Sequence, residues 1–327
     1  MEDIFKQLTQ LIKNCDKVIF MTHQNMDLDG FASILALSKI ISSFKKDNYI
    51  LIDNNPKNIS IKKSIEKLRE TKLEFNYIYK KDALSYLTSN TIIIILDVHK
   101  QAMVEMPSII TKTNNIVVID HHIKCKQYIQ NTILNYINSN MSSTIEIIVE
   151  YLKYLNKKVD PIIATMMLAG MEIDTNSFNV KTSASTYETA AFLMNMGADN
   201  ILKQELLKED KDEYIIRQKY IENSYMLNNN ISICTLDTKI VDNNTLAQIA
   251  EDLLQFDNVE SAFCIGYISK NKVGISARSI GKYNVEHIMK NLGGGGHSTE
   301  AATQIKNVNI ESALNMLMNE IDKDEVI

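Results

Sequence analysis

Three short segments concentrate carboxylates and imidazoles: His23-x3-Asp27-x-Asp29, Asp97 in the pair LD, and Asp120-His121-His122. A further acid, Asp174, lies in the stretch MEID. Gathered in one place, so many acids repel and raise one another's pKa values. Cations relieve that repulsion. Ligands mixing carboxylate and imidazole without thiolate favour manganese, magnesium or iron(II) over structural zinc. Taken singly, a strand-end His reads as a surface or capping residue. A strand-end Asp reads as a helix N-cap, a role open to Asp29 just ahead of a helical stripe. The whole set in this order reads as a metal site.

The elements that must position these residues follow from periodicity. VIFMT (18–22), TIIIIL (91–96) and IVVI (116–119) are continuous, β-branched runs, as expected for strands of a parallel sheet covered on both faces. The first runs into His23, the second ends at Asp97 and the third at Asp120. Ligands bind at the carboxyl ends of strands in such sheets, so three strands deliver the acids and imidazoles to one edge. Phe31, Ile34, Leu35, Leu37, Ile40 and Ile41 form a helical stripe between strands. Ser143-x-x-Glu146 has capping-box spacing and opens a helix through Leu155, and Ser142-Ser143 reads as its cap. Pro161 begins a very apolar helix. Ser185-x-x-Glu188 is a second capping box, with Gly197 as terminator. An α/β domain is therefore expected over 1–195, followed by a charged helical linker over 196–228.

From 229 to 327 the pattern changes. ISICTLD, SAFCIGYI and KVGISARS read as strands, the last two joined by a polar turn at Ser269 to Asn271. Helical NVEHIMKNL, four glycines (Gly293, Gly294, Gly295, Gly296) and a final helix from about Ile310 complete a smaller α+β domain. Glycines let backbone N–H groups approach a phosphate closely. Beside His297 and near Arg278, which can pair a phosphate bidentately, the run fits a mobile phosphate cradle as well as it fits a flexible turn between helices. His99 and His287 read as structural.

Composition narrows the ligand. The 327 residues are 45% hydrophobic and 23% charged, with a formal net charge of −5. That balance offers no basic face for long DNA or RNA, but accepts a mononucleotide or dinucleotide. Cys15, Cys125, Cys234 and Cys264 are scattered without a CxxC pair, which reads as free thiols in a reducing cytoplasm. No apolar run approaches the roughly 20 residues of a membrane span. MEDIFKQ lacks the pattern of a signal peptide. The expected location is cytoplasmic.

In this order, His23-x3-Asp27-x-Asp29, Asp97, Asp120-His121-His122 and Asp174 resemble the four motifs of the DHH phosphoesterase superfamily. GGGGHSTEAA resembles the glycine motif of its DHHA1 partner domain. Within the superfamily, SARSIGKYNVEHIMKNLGGGGHSTEAATQI and SFNVKTSASTYETAAFLMNMGAD are most similar to cyclic-di-AMP phosphodiesterases of the GdpP type. Those enzymes carry membrane helices, a PAS domain and a degenerate GGDEF domain upstream of this region. The first motif departs from the family in having Met26 where proline is usual.

The resemblance implies an α/β, parallel-sheet DHH domain followed by a smaller α+β DHHA1 domain. It implies two divalent ions, manganese before magnesium or iron(II). His23, Asp27 and Asp97 would hold one, and Asp29, Asp97, His121 and Asp174 the other, with Asp97 bridging. Asp120 would orient a ligand imidazole, and His122 would contact phosphate or donate a proton. Arg278, the four glycines and His297 would bind substrate. The implied partner is a small nucleotide, and a homodimer is implied as well. The implied reaction is hydrolysis of cyclic-di-AMP to pApA. The alternatives are a nanoRNase or pAp phosphatase of the same superfamily, and a non-catalytic nucleotide sensor, which would have no need of an intact ligand set. A family II pyrophosphatase lacks the glycine motif in its second domain. A RecJ-like exonuclease would need a strand-binding domain that the length and acidity do not offer.

Overall fold

The long β-branched runs do bury both faces: all six residues of the strand Thr91–Leu96 are buried. The fold is taken from a computed structural model that describes residues 1–125 and 127–324. The chain forms two units, Met1–Lys208 and Glu209–Ile327.

The first unit opens with α1 (Glu2–Asn14), β1 (Lys17–Met21), α2 (Leu28–Ser43), β2 (Asp47–Leu51), α3 (Ile59–Glu70) and β3 (Tyr77–Ile78). It continues with β4 (Thr91–Leu96), α4 (Pro107–Ile110), β5 (Ile116–Asp120) and β6 (Leu134–Ile137). Helices α5 (Thr144–Tyr154), α6 (Pro161–Asp174), α7 (Ala184–Asn195) and α8 (Asn200–Leu207) complete it. The six strands form one sheet in the order β3-β2-β1-β4-β5-β6, and every neighbouring pair is parallel. The order reverses direction between β1 and β4. In doubly wound sheets a crevice opens at that reversal, beyond the carboxyl ends of the strands.

Two helix starts differ from the sequence reading. Ser143 Oγ does accept from Glu146 N (3.2 Å), but the Glu146 carboxylate takes Ser142 N (2.8 Å) and Ser142 Oγ (2.6 Å) instead of closing a box on Ser143. The cap of α7 is Ser183, boxed with Thr186, and not Ser185. Ser185 Oγ donates to Glu146 Oε1, because that buried carboxylate still has an open acceptor. The two helix starts are thereby joined.

The second unit comprises α9 (Lys211–Glu222), β7 (Tyr225–Leu227), β8 (Ile231–Ile240), α10 (Asn243–Leu253), β9 (Ser261–Ser269) and β10 (Lys272–Ser279). It ends with α11 (Val285–Asn291), β11 (Gly295–Gly296), β12 (Glu300–Lys306) and α12 (Ile310–Asp324). Its sheet runs β11-β12-β10-β9-β8-β7, with β8 and β9 parallel and the other pairs antiparallel. Each unit has its own apolar clusters. The helical segment of 196–228 is divided, α8 belonging to the first unit and α9 to the second.

Candidate metal centre

The loop after β1 carries His23. Its Nδ1–H donates to the Gln24 carbonyl (2.8 Å), which turns Nε2 toward Asp27 Oδ2 and Asp97 Oδ2, each 3.4 Å away. Asp27 is the N-cap of α2, its Oδ1 accepting from Gly30 N (3.0 Å). The cap is thus Asp27 and not Asp29. Asp29 sits in the first turn of α2 and caps a different helix: its two oxygens accept from Thr144 N and Ile145 N at the start of α5, both at 2.9 Å. Each oxygen keeps a spare lone pair.

Asp97 follows β4 with φ +63°, a left-handed conformation that few non-glycine residues adopt, although Asp is among the more tolerant. Strain of this kind concentrates at functional sites. Thr144 Oγ1 donates to Asp97 Oδ1 (3.1 Å). The same oxygen lies 3.4 Å from His121 Nε2, while Oδ2 faces His23. The two oxygens of Asp97 therefore face two different imidazoles.

His121 Nε2 is ringed by Asp174 Oδ2 (3.1 Å), Asp97 Oδ1 (3.4 Å) and Asp29 Oδ2 (3.9 Å), yet it is buried without a hydrogen bond. A buried, unsatisfied nitrogen among carboxylate oxygens fits a cation better than it fits itself. Ligand atoms from His23, Asp27 and Asp97 lie within 4.8 Å of one another, as do those from Asp29, Asp97, His121 and Asp174. A third grouping joins Asp97 and His121 with Asp120 and His122. Asp120 is already engaged there: Oδ1 accepts from His122 N (3.1 Å) and Nδ1 (2.8 Å), and Oδ2 accepts from His99 Nδ1. That makes it a support for imidazoles more than a ligand.

Without cations the cluster is electrostatically frustrated. Burial, then the neighbouring Asp174 and Asp97, hold the Asp29 carboxyl well above the usual range. Burial also pushes Asp174 up to about 6, against the pull of His121 and with added repulsion from Asp27 and Asp97. Burial opposes charge on His23, but Asp27 and Asp97 outweigh it and push the ring up to about 12. Burial likewise opposes charge on His121, and Asp174 and Asp97 raise it well above its ordinary value. For His122, burial is outweighed by Asp120, and the shift is again upward. Asp97 and Asp120 go the other way, since adjacent imidazoles overcome their burial and lower both. Divalent ions would replace these protons.

Two neighbours of the site are not among the candidates read from sequence, where His99 reads as structural. His99 contacts Asp120, and its spacing two residues after Asp97 is a signal that was present. Gly170 on α6 is the other. A Cβ there would lie 2.8 Å from Leu28 O and 2.9 Å from Asp29 N, so α6 meets α2 closely at a candidate ligand.

In the second unit, Arg278, Gly295, Gly296 and His297 line a cleft of about 350 Å³, with Asn243, Asn244 and Glu300 among its other walls. The glycine run is not a free loop between helices. Gly295 and Gly296 pair with Ala302 and Ala301 of β12, a strand the sequence reading lacked. Gly294 packs against the same strand, where a Cβ would lie 2.1 Å from Ala302 O. Gly293 has φ +82° just past α11.

Residues 17–171 match the DHH family, N-terminal domain, and residues 228–323 match the DHHA1 domain. The chain is 35% identical over 322 residues to cyclic-di-AMP phosphodiesterase GdpP of Bacillus subtilis, covering 97% of this chain and 49% of that protein. It thus spans about half the length of that relative. It is 25% identical over 304 residues to the bifunctional oligoribonuclease and PAP phosphatase NrnA of Mycoplasma genitalium, covering 90% and 91% of the two chains. In fold it is similar to an exopolyphosphatase-related protein from Bacteroides fragilis, with a TM-score of 0.83 at 17% identity over 99% of this chain and 96% of the other.

Proposed function

This chain belongs to the DHH/DHHA1 phosphoesterase family, and from that premise we propose that it is a metal-dependent phosphodiesterase that opens cyclic-di-AMP to linear pApA. The observation that carries the reading is Asp97, whose two oxygens face two separate clusters of ligand atoms. Such an arrangement suits a pair of divalent ions, with manganese foremost for carboxylate and imidazole donors. His23, Asp27 and Asp97 would hold one; Asp29, Asp97, His121 and Asp174 would hold the other. When bound, the ions supply charge stabilisation at phosphorus and a water acidified toward neutral pH.

The remaining chemistry falls to side chains. Asp29 and Asp97 are anchored by the first turn of α5, so two of the proposed ligands are held in place before any ion arrives. Asp120 holds the ring of His122, which contacts phosphate or gives its Nε2 proton to the departing oxygen. Gly293 to Gly296, Arg278 and His297 are the proposed substrate-binding residues of the second unit, where glycine backbone N–H groups can approach a phosphate closely and Arg278 can pair one. The reaction is placed in the cytosol, where the four cysteines stay as free thiols.

The second reading is an NrnA-like activity on pApA, short oligoribonucleotides or pAp. It rests on the 25% identity to NrnA over 304 residues. Identity favours the first, at 35% against 25%. Chromatographic time courses with cyclic-di-AMP, pApA and pAp in manganese separate the two. The expected outcome is rapid loss of cyclic-di-AMP with pApA accumulating. Rapid turnover of pApA or pAp with cyclic-di-AMP left intact would establish the NrnA-like reading.

A further inference from the structure

His99 is 2% exposed and lies outside the proposed ligand set, yet both of its ring nitrogens are committed. The backbone N–H of Cys125 donates to Nε2 (3.2 Å), so Nε2 carries no proton and Nδ1 does. Nδ1–H then donates to Asp120 Oδ2. The other oxygen of Asp120, itself fully buried, accepts from the backbone N–H of His122 (3.1 Å) and from its ring Nδ1 (2.8 Å). Donors from two sides thus converge on Asp120: His99, itself held by Cys125 N, on one oxygen, and His122, whose side chain is 45% exposed, on the other. The convergence fixes which nitrogen of His122 is left for a ligand.

We propose that His99 is a positioning residue for the hydrolytic reaction: acting through Asp120, it holds the His122 ring with Nδ1–H inward and Nε2 directed to the oxygen that leaves phosphorus. The proposal rests on the phosphodiesterase reading above. In the step concerned, water forms the new P–O bond and the bond to the ribose oxygen breaks. The electron pair stays on that oxygen, and the Nε2 proton of His122 converts it to a hydroxyl. One proton of the attacking water passes to solvent, from which His122 is recharged, and the other stays on the new phosphate oxygen.

His99 also clamps a loop. Its carbonyl accepts from Ile129 N (2.8 Å), and its Nε2 holds Cys125 N. Two isosteric variants separate clamp from positioning. His99→Asn places an amide N–H where Nδ1–H was, keeping the Asp120 bond and losing the Cys125 contact. His99→Gln places an acceptor where Nε2 was, keeping the loop contact and losing Asp120. Positioning predicts His99→Asn within about fivefold of wild type on a ribonucleotide diester. His99→Gln should lose roughly a hundredfold in kcat with KM little changed, the scale of misplacing a general acid. On bis-p-nitrophenyl phosphate, whose leaving group departs without a proton, both variants should stay within about threefold of wild type. The reverse order of the two variants, or equal losses of His99→Gln on both esters, would overturn the proposal. A second readout needs no turnover. In ¹⁵N NMR of histidine-labelled protein, His122 should show a protonated Nδ1 in wild type and His99→Asn and a mixed tautomer in His99→Gln. An unchanged His122 signal in His99→Gln sinks the idea by itself. Wild-type protein inert toward both esters in manganese would count against the phosphodiesterase reading, and the NMR comparison would still decide the role of His99.

Discussion

At the residue scale, the protonated state of the metal-free cluster has a measurable outcome. Asp174 is held up to about 6 and the imidazoles of His23 and His121 lie above their ordinary values, so several sites carry protons that a cation must displace. The sign is set by these directions: groups with raised pKa bind protons in the free protein and release them when a divalent ion takes their lone pairs. Manganese binding should therefore release protons at neutral pH, and its apparent affinity should rise with pH. Calorimetric titrations in buffers of differing ionisation enthalpy check this, and a proton count of zero near pH 7 contradicts the ligand assignment. The residue types at this site were legible in sequence, because His23, Asp27, Asp29, Asp97, His121 and Asp174 sit at strand ends or in short motifs. What could not be read was who serves whom. Sequence spacing put the capping role on Asp29 for its own helix, whereas folding brings it to Thr144 and Ile145, over a hundred residues away.

At the scale of elements, the close approach of α6 to α2 is the feature most open to test. Gly170→Ala would drive a methyl group against Leu28 O, Asp29 N and Ile145 Cδ1, all within 2.9 Å. Backbone cannot yield as a flexible side chain does, so a cost of about 1–3 kcal/mol is expected. Because the displaced backbone carries Asp29, turnover should fall further than the lowered melting temperature alone explains. Thermal unfolding and manganese-dependent hydrolysis, measured on the same preparation, check it; a variant as stable and as active as the parent refutes the contact. Sequence identified the apolar character of α6 and its proline start, but a contact across two helices leaves no local pattern around Gly170. The same limit explains β12. Its alternation is short, and the four glycines before it read as a loop until Ala302 and Ala301 are seen pairing with Gly295 and Gly296. The continuous runs of β1, β4 and β5 were legible because a buried parallel strand needs unbroken apolar sequence.

At the scale of the whole molecule, each of the two units contains its own apolar clusters and its own sheet. The six proposed ligands all fall between His23 and Asp174, inside the unit Met1–Lys208. A fragment of residues 1–208 should fold and bind manganese with an affinity near that of the full chain, while hydrolysis of cyclic-di-AMP falls by at least an order of magnitude for want of the proposed substrate-binding residues. Equilibrium metal binding by the fragment, compared with its turnover of the dinucleotide, is the measurement. A fragment that folds but takes no metal would show that the centre draws on the second unit.

That placement of the ligands also sets an order of events during synthesis. The ribosome has made every group of the proposed centre by the time Asp174 is joined, well before it reaches Gly293. The nascent first unit could collect the proposed ions, and use them as a scaffold, before any residue of the glycine run exists. A chain made without the proposed ions would have to close its acidic cluster around protons, and the defect would arise during synthesis, upstream of any encounter with a nucleotide.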